Sequence, residues 1–421
     1  MIMQQNTLVR NPLAITFFGA IRLPSWAVSR IATYAAFVLA LAGGWLAFNS
    51  SMLNEYGTPL LAIAGVALLI MSWRLGARTR ATSWVILVAW HLGSGTAIPS
   101  GWHAFFGDNW GWLALVIWAA VASSPALLFP ARFSSYALGI SALLTAITPI
   151  GMMNPIIAAT GLFPGGGWLG LAAAIGVLLL PSIPNKKAFG VAGIIVLFWG
   201  VIQNAQYDMH PPVVSNSAWA VETREGAQPT LAIDWFGRQG KIADLVQAGI
   251  EDGALLAVTP EGTVDKWDAW AKATWRHAIA ASQEHKGMAL VGIYRETPDG
   301  WQNGLLDLAS GEFYRASVPM PVSMWRPWGS GHFPFDFSQL TRRIKTPVGD
   351  AAYLLCYEEL LAWPLAAKMV HGHPDLLVSV ANQWFSNSTT AETQKRSVNF
   401  QARLWGLPML RAVNWPRNPK Q

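Results

Sequence analysis

Long apolar runs fill the first half of the chain, and short apolar runs separated by charged residues fill the second half. A helix that crosses a membrane needs roughly 20 mostly apolar residues, because the hydrocarbon core is about 30 Å thick. The pattern therefore predicts a polytopic α-helical membrane domain of about seven transmembrane helices over residues 31–205. The runs cover residues 31–48, 56–73, 84–102, 109–129, 136–155, 163–180 and 189–205. Glycines and prolines interrupt the third and fifth runs, which are the weakest of the candidates.

The first 30 residues contain a shorter apolar run, residues 12–21, which Arg22 and Pro24 interrupt. Its length is typical of an interfacial or re-entrant segment, so residues 1–30 are predicted to form a cytoplasmic or interfacial N-terminal segment. A cleavable signal peptide is not indicated, because no small-residue cleavage site follows the run.

Basic residues are distributed unevenly between the loops. The N-terminal segment and the loops after the second, fourth and sixth runs hold nine Lys and Arg residues, whereas the loops after the first, third and fifth hold none. Basic loops remain in the cytoplasm, so this asymmetry predicts a bacterial inner-membrane protein with a cytoplasmic N-terminus. Seven crossings would then place residues 206–421 in the periplasm.

Charge and composition exclude two other classes of protein. The chain is 52% hydrophobic and only 12% charged, whereas soluble domains carry about a quarter charged residues. The net charge of +6 arises beside apolar runs, which indicates membrane topology and predicts no nucleic-acid partner. The apolar runs contain few ionisable residues beyond His91. A transporter would need more of them to form an ion or proton path.

The second half alternates β-rich and amphipathic segments. Such alternation, with apolar strands, predicts a layered α/β domain over residues 206–421. The predicted strands cover residues 230–234, 254–259, 288–294, 351–355, 375–380 and 409–413, with a hairpin over 304–314; the predicted helices cover 265–285, 356–370 and 390–405.

Two chemically active side chains follow strands of this domain. Cys356, the only cysteine, follows the strand 351–355 and opens a predicted helix, whose N-terminal dipole would favour a thiolate and stabilise an oxyanion. Glu261 follows the strand 254–259. If these strands are neighbours, the pair could act as nucleophile and base. The alternatives are a buried small cysteine and a Pro-Glu helix start.

Local strings around these residues resemble the carbon–nitrogen hydrolase (nitrilase) superfamily. They read LLCYEELLAWP around Cys356, TPEGT around Glu261 and PDLLVSVANQWFSNS over residues 374–388. Within the superfamily the chain is most similar to apolipoprotein N-acyltransferases, in which membrane helices precede a periplasmic nitrilase domain. The TraB-type conjugal transfer branch has a similar size and a similarly short C-terminus.

The resemblance implies an αββα sandwich and a Glu–Lys–Cys triad. Cys356 matches the nucleophile that forms a thioester, Glu261 matches the general base, and Tyr357 and Glu358 match supporting residues. The lysine is replaced, and Arg315 is the base nearest to its expected place. Arginine keeps a positive charge near a developing oxyanion but does not release its proton as lysine can.

The resemblance leaves two functions open. The first is a Cys-dependent acyl transferase or amidase serving conjugal transfer, with a membrane phospholipid as acyl donor and a lipoprotein or a conjugation-machinery protein as partner. The second is a catalytically degenerate nitrilase-fold module that binds or assembles partners in conjugation or the cell envelope. No cofactor is expected. His371 and His373 lack further ligands in the sequence, so a solvated loop is favoured over a metal site.

Overall fold

The computed structural model describes residues 24–49, 58–106, 111–124, 136–227, 232–321, 323–329, 331–385 and 388–417. The predicted interfacial run 12–21 lies outside the described residues. The described part of the first half is entirely helical. Its helices are α1 (Ser25–Phe48), α2 (Thr58–Gly76), α3 (Arg80–Ser94), α4 (Ile98–Phe106), α5 (Gly111–Ser123), α6 (Ala137–Ala146), α7 (Pro155–Thr160), α8 (Gly167–Leu179) and α9 (Lys186–Met209).

Three of the described helices, α1, α2 and α9, are long and apolar enough to cross a membrane. They match the predicted runs 31–48, 56–73 and 189–205. The predicted count of about seven crossing helices is not supported, because α3, α5, α6 and α8 in the other four runs have 15 residues or fewer.

Turn-forming residues account for this difference. Within the run 84–102, α3 ends at Ser94 and a turn precedes α4. Within the run 136–155, α6 ends at Ala146, and Asn154 caps the new helix α7 by accepting a hydrogen bond from the Ile156 N–H (2.8 Å). An N-cap and a proline at the first helical position begin a helix rather than continue one. Hydropathy therefore overestimates the helix lengths.

The second half is an α/β domain. Its strands are β1 (Ala218–Ala220), β2 (Leu256–Val258), β3 (Met288–Thr297), β4 (Gly300–Asp307), β5 (Phe313–Arg315), β6 (Ile344–Thr346), β7 (Gly349–Leu355), β8 (Leu376–Asn382) and β9 (Met409–Asn414). Its helices are α10 (Ala232–Glu251), α11 (Ala269–Thr274), α12 (Arg276–Glu284), α13 (Trp363–Lys368) and α14 (Ser388–Trp405).

The strands form two sheets that pack face to face. One sheet has the order β1-β2-β3-β4-β5, with the first three strands parallel and the last two antiparallel to their neighbours. The other has the order β6-β7-β8-β9, with β7, β8 and β9 parallel. Buried residues of both sheets, such as Leu290 and Val378, form one core between them. Helices cover both outer faces, which gives four αββα layers.

The two outer faces differ in what covers them. The outer face of the five-stranded sheet packs on α10, α11 and α12, around Trp275. The outer face of the four-stranded sheet, with α13 and α14, shares one hydrophobic cluster with α1, α2, α3 and α6 to α8. Phe48 and Phe400 meet edge to face at 6.3 Å, and Arg403 pairs with Asp208 at the end of α9 (2.8 Å). The first half of the chain is therefore packed against the second.

Three local predictions in the α/β domain were wrong. The predicted strand 230–234 overlaps the start of α10. The predicted helix 265–285 is broken at Trp275 into α11 and α12. The predicted helix 356–370 is a short 3-10 turn, Cys356–Leu360, followed by α13 after a break. In the two predicted helices a backbone turn interrupts an apolar period that continues in the sequence.

Candidate active site

Glu261 lies in the turn that follows β2, and that turn is held against β3. The Gly292 N–H of β3 donates to the Thr259 hydroxyl (3.0 Å), and the Thr263 hydroxyl donates to the Pro260 carbonyl (2.8 Å). A Cβ added at Gly292 would lie 2.0 Å from the Pro260 carbonyl oxygen, so only glycine permits this approach. The turn directs the buried Glu261 side chain into the space between the two sheets.

Three donors hold the Glu261 carboxyl. The Asn303 side-chain amide donates to Oε1 (2.6 Å), the Asn382 backbone N–H donates to Oε2 (3.1 Å), and the Cys356 thiol is the third. Burial raises the pKa of Glu261 to about 7, although these hydrogen bonds oppose the shift; the negative charge of Glu359 adds to it. A carboxyl with a pKa near neutrality can accept and return a proton.

Cys356 directly follows β7, at the point where the chain turns sharply. Its φ of 46° lies in the left-handed region, which is rare for residues other than glycine and is often found at functional sites. The residue is half-buried. We call the 3-10 turn that it begins, Cys356–Leu360, the Cys356 turn.

The structure brings Cys356 and Glu261 together, but not by the predicted route. Their strands, β7 and β2, lie in different sheets and face each other, rather than pairing as neighbours. The predicted preference for a thiolate was also wrong. Burial raises the pKa of Cys356 well above its ordinary value, and the negative charges of Glu261 and Glu359 raise it further. Near neutral pH the cysteine is therefore a thiol, and it is hydrogen-bonded to the Glu261 carboxyl, which is only partly ionised there.

Glu358 joins the Cys356 turn to the segment after β5. Its carboxylate accepts hydrogen bonds from the backbone N–H groups of Ser317 (2.7 Å), Val318 (3.1 Å) and Leu355 (3.0 Å). Burial raises the pKa of Glu358. Its geometry is that of a structural bridge between the Cys356 turn and the chain that follows Arg315.

Tyr357 joins the Cys356 turn to the helical half of the chain. Its hydroxyl donates to the Pro149 carbonyl between α6 and α7 (2.5 Å), and the Met153 N–H donates to the Leu360 carbonyl (3.2 Å). A third bond comes from α14, where the Gln394 amide donates to the Cys356 carbonyl (2.8 Å). The Cys356 turn is thus held from both sides.

Arg315 lies at the end of β5, and its guanidinium pairs with Asp336 (2.6 Å). It lines a small pocket with Asn303, Trp301, Phe333 and other residues. Among the described residues, the groups that shift the pKa of Cys356 are carboxylates and one backbone N–H, with no cation among them. The proposed catalytic part of Arg315 therefore stays a prediction.

Glu359, a second buried carboxylate of the Cys356 turn, is paired with a cation. It pairs with Arg411 of β9 (2.9 Å) and accepts a hydrogen bond from the Ser379 hydroxyl. Its carbonyl oxygen accepts bonds from Ser397 and Gln401 of α14 (2.7 and 2.9 Å). This network fixes the far end of the Cys356 turn.

Sequence reasoning missed three residues that surround the pair. Asn303 and Asn382 hold the carboxyl of Glu261, and the half-buried Tyr294 lies close enough for Glu261 and Cys356 to raise its pKa. Asn382 stands in the PDLLVSVANQWF string, so the resemblance could have identified it. Asn303 and Tyr294 lie inside the β3–β4 hairpin, where the sequence carries no signal of what they face.

The described residues contain no group of three His, Cys, Asp or Glu side chains that could hold a metal ion. A ring nitrogen of His373 lies 2.6 Å from the Trp405 carbonyl oxygen. Trp405 is the last residue of α14, so His373 contacts the backbone at the end of that helix.

No protein-family profile matches the chain. Two curated proteins are similar to it over most of their length. One is the "Probable conjugal transfer protein TraB" of Sinorhizobium fredii, 25% identical over 372 residues, which covers 80% of this chain and 89% of that protein. The other is the "Conjugal transfer protein TraB" of Agrobacterium fabrum, 26% identical over 373 residues, which covers 80% and 84%.

Among solved structures, two amidase mutants overlap part of the chain. A cysteine-to-alanine mutant of the Nesterenkonia AN1 amidase from the nitrilase superfamily has a TM-score of 0.36 at 15% identity. A glutamate-to-glutamine mutant of the same amidase, with the acetamide moiety of fluoroacetamide added at its active-site cysteine, has a TM-score of 0.35 at 16% identity. Each match covers 48% of this chain and 78% of the amidase. The chain is therefore similar to two TraB conjugal transfer proteins over most of their length.

Proposed function

We propose that this protein is a membrane-anchored thiol enzyme of the acyl-transfer type that serves plasmid conjugal transfer. The observation that carries the proposal is the hydrogen bond between the half-buried Cys356 and the buried Glu261, which lie where the two sheets face each other. A nucleophile needs an adjacent base when its own pKa is high, and this thiol has one. The similarity to two TraB proteins supports the conjugal part.

The proposed reaction has two halves. Glu261 takes the thiol proton as Sγ of Cys356 attacks the acyl carbonyl carbon, and it returns that proton to the leaving oxygen or nitrogen. A thioester on Cys356 remains. Glu261 then takes a proton from an incoming amine or water, whose nitrogen or oxygen attacks the thioester carbon. Collapse of the intermediate releases the acylated product, and the proton returns to Sγ.

The membrane setting suggests the partners. The helical half packs directly on α14 and reaches the Cys356 turn, so a substrate held in the bilayer would lie near the thiol. We propose a phospholipid as acyl donor, and a lipoprotein or a protein of the conjugation machinery as acceptor. The proposed location is the inner membrane, with the N-terminus in the cytoplasm and the α/β domain in the periplasm.

Acylation of Cys356 can be tested directly, because the chain has one cysteine. Purified protein in detergent is incubated with p-nitrophenyl butyrate, and its intact mass is measured with and without hydroxylamine, which cleaves thioesters. We expect one hydroxylamine-sensitive butyryl group on wild type and none on Cys356→Ala. Glu261→Gln should acylate at least 100-fold more slowly, since general-base catalysis contributes about 10²–10⁴-fold.

A non-catalytic binding or assembly module is the second candidate. The observation that favours it is that Arg315, the base nearest to the expected place of the lysine, pairs with Asp336 (2.6 Å). This candidate predicts that Cys356→Ala supports conjugal transfer at the wild-type frequency. The enzyme hypothesis predicts that Cys356→Ala and Glu261→Gln both lower the frequency of conjugal transfer. Glu296→Gln, at an exposed position in the same domain, should not lower it.

A further inference from the structure

Four aromatic side chains form a row along the loop between β5 and β6. Between ring centroids, Trp328 lies 6.5 Å from Trp325, Trp325 lies 5.3 Å from Phe335, and Phe335 lies 5.8 Å from Phe337. We call these four residues the aromatic row. Both of its ends are open to solvent, since Trp328 is 71% exposed and Phe337 is 64% exposed. Single exposed apolar residues are common, but a contiguous exposed patch marks a surface that contacts a protein or a membrane.

Backbone hydrogen bonds hold the loop that carries the aromatic row. The Asp336 N–H donates to the Ser317 carbonyl (3.0 Å), and the Phe333 N–H donates to the Met324 carbonyl (3.0 Å). The ion pair between Arg315 and Asp336 joins the two ends of the loop as well (2.6 Å). The rings are therefore presented on a loop with internal structure, so the exposed patch is part of the fold.

The inner side of the aromatic row reaches the place where the two halves of the chain meet. Phe335 packs on a small cluster formed by Val318, Tyr357 and Leu361, and Met152 of the α6–α7 connection packs on the same cluster. The row is thus continuous with the contact between the helical half and the Cys356 turn.

The α6–α7 connection lies at the level where a crossing helix ends. The indole N–H of Trp90, one turn before the end of α3, donates to the Met153 carbonyl (3.3 Å). The side-chain amide of Asn49, directly after α1, donates to the Ser94 carbonyl at the end of α3 (2.9 Å). Since α1 is long and apolar enough to cross a membrane, this level is a boundary of the hydrocarbon core, and the aromatic row adjoins it.

The chemistry of the loop fits the head-group region at such a boundary. Tryptophan is enriched at both membrane–water interfaces, where its ring lies at the level of the head groups. Residues 320–337 contain three ionisable side chains, those of Arg326, His332 and Asp336. Asp336 pairs with Arg315, whereas Arg326 is exposed beside Trp325. An exposed arginine next to exposed aromatic rings complements anionic phospholipid head groups.

We propose that the aromatic row lies in the head-group region of the membrane, with Arg326 at the lipid phosphates. The loop between β5 and β6 is then a membrane contact site in addition to the crossing helices, and it holds the α/β domain against the bilayer surface. The bilayer surrounds this boundary whenever the helices are inserted, so it reaches the row without a further partner. The inference goes beyond the proposed function and does not depend on acylation of Cys356.

A fluorophore attached to the aromatic row of the full chain tests this contact. In a Cys356→Ala background, Trp328→Cys supplies a single thiol, which is labelled with an NBD maleimide. The matched control is Trp270→Cys in the same background, because Trp270 is also 71% exposed. It lies on α11, at the outer face of the five-stranded sheet, away from the helical half. Both labelled proteins are reconstituted in nanodiscs of phosphatidylcholine and phosphatidylglycerol.

We expect opposite quenching patterns for the two probes. A phospholipid with a spin label on its head group should quench the Trp328→Cys probe several-fold more than the Trp270→Cys probe, because a spin label quenches only at short range. Aqueous iodide should quench the Trp270→Cys probe more strongly. A spin label at the end of an acyl chain should quench the Trp328→Cys probe less than the head-group label does, since interfacial aromatic rings lie at the level of the head groups.

Equal quenching of the two probes by the head-group label would overturn the inference. A Trp328→Cys probe that is shielded from iodide but not quenched by lipid would also overturn it, because a protein partner or a second copy of the chain would then cover the row. If Trp328→Cys does not fold, Phe337→Cys at the other end of the row takes its place. Failure of the proposed function has a different signature. Wild type would then form no thioester, and the quenching, which is measured without Cys356, would be unchanged.

Discussion

At the scale of single residues, the site depends on two neighbouring acids whose pKa values are both raised. The carboxyl of Glu261 has a pKa of about 7, whereas the thiol of Cys356 has a pKa well above its ordinary value. Both shifts come first from burial, which disfavours the charged form. Near pH 7 the thiol alone would be inert, so its reactivity must follow the ionisation of Glu261.

This coupling predicts the pH dependence of Cys356 alkylation by 2-iodoacetamide. Glu261 accepts the thiol proton only when it is ionised, so the rate should rise between about pH 6 and pH 8, with an inflection near 7. In Glu261→Gln the inflection should disappear, and the rate should rise only as the thiol itself ionises at higher pH. Rates are followed by intact mass. A wild-type profile identical to that of Glu261→Gln would contradict the coupling.

The same comparison shows which residues a sequence can reveal. Cys356 directly follows β7 and Glu261 lies in the turn after β2; because functional side chains collect where strands end, both could be found from the sequence. Asn303 stands within β4, and its contact with Glu261 depends on the register of the β3–β4 hairpin, in which Tyr294 pairs with Asn303. The residues around Asn303 in the sequence do not show that it contacts Glu261, which is 42 residues away along the chain.

At the scale of elements, the approach of β3 to the Glu261 turn depends on Gly292. An added methyl group would collide with the Pro260 carbonyl at 2.0 Å. Gly292→Ala should therefore lower the free energy of unfolding by about 1–3 kcal/mol, as overpacking does, and slow Cys356 alkylation by shifting Glu261. Thermal unfolding in detergent and the alkylation rate measure the two effects.

Gly240→Ala is the matched control, because Gly240 lies in α10 and an added Cβ there meets no atom within 4 Å. Alanine in place of a mid-helix glycine should stabilise by about 0.5–1 kcal/mol and leave the alkylation rate unchanged. Equal stability changes in the two variants would mean that the contact between β3 and the turn is not tight.

The Cys356 turn is the second element with a clear mechanical role, because Tyr357 ties it to the α6–α7 connection. Tyr357→Phe removes only the hydroxyl that donates to Pro149 and should cost about 1 kcal/mol of stability. It should also slow alkylation of Cys356 several-fold without moving the pH inflection near 7. Tyr34→Phe, at an exposed position on α1, should change neither quantity.

If Tyr357→Phe moved the inflection, the tyrosine would act on the charge of the pair rather than on the position of the turn. The sequence shows that Tyr357 is next to the cysteine, but it does not show that the Tyr357 hydroxyl binds the Pro149 carbonyl. Pro149 is 208 residues away along the chain and belongs to a segment that hydropathy assigns to a single transmembrane run.

At the scale of the whole molecule, the ends of the three long helices define two faces. At one face, Arg74 of α2 donates to the Ile183 carbonyl (2.6 Å) and its guanidinium lies over the ring of Phe189 at the start of α9 (4.2 Å). At the other face, the ends of α1 and α9 contact α14, through Phe48 and through Asp208. The α/β domain therefore lies at the face opposite the bases of α2 and α9.

The predicted orientation does not depend on the predicted count of seven crossing helices, which the structure does not support. Hydropathy measures apolar length, and it cannot register the turns that end α3 and α6 inside apolar runs. The positive-inside rule, by contrast, depends only on which loops lie on the same side of the membrane. Three crossings and seven crossings are both odd numbers, so either count leaves the N-terminus and the α/β domain on opposite sides.

The two faces give a final prediction about orientation. In a Cys356→Ala background, a single cysteine is introduced at the exposed Lys187, at the start of α9, or at the exposed Lys241 of α10. Since basic helix ends remain in the cytoplasm, a membrane-impermeant maleimide added to intact spheroplasts should label Lys241→Cys and leave Lys187→Cys unlabelled. Inverted membrane vesicles should give the reverse result. Labelling of both positions from the same side would contradict the two-face arrangement. If spheroplasts instead label Lys187→Cys and leave Lys241→Cys unlabelled, the α/β domain, with Cys356, lies in the cytoplasm.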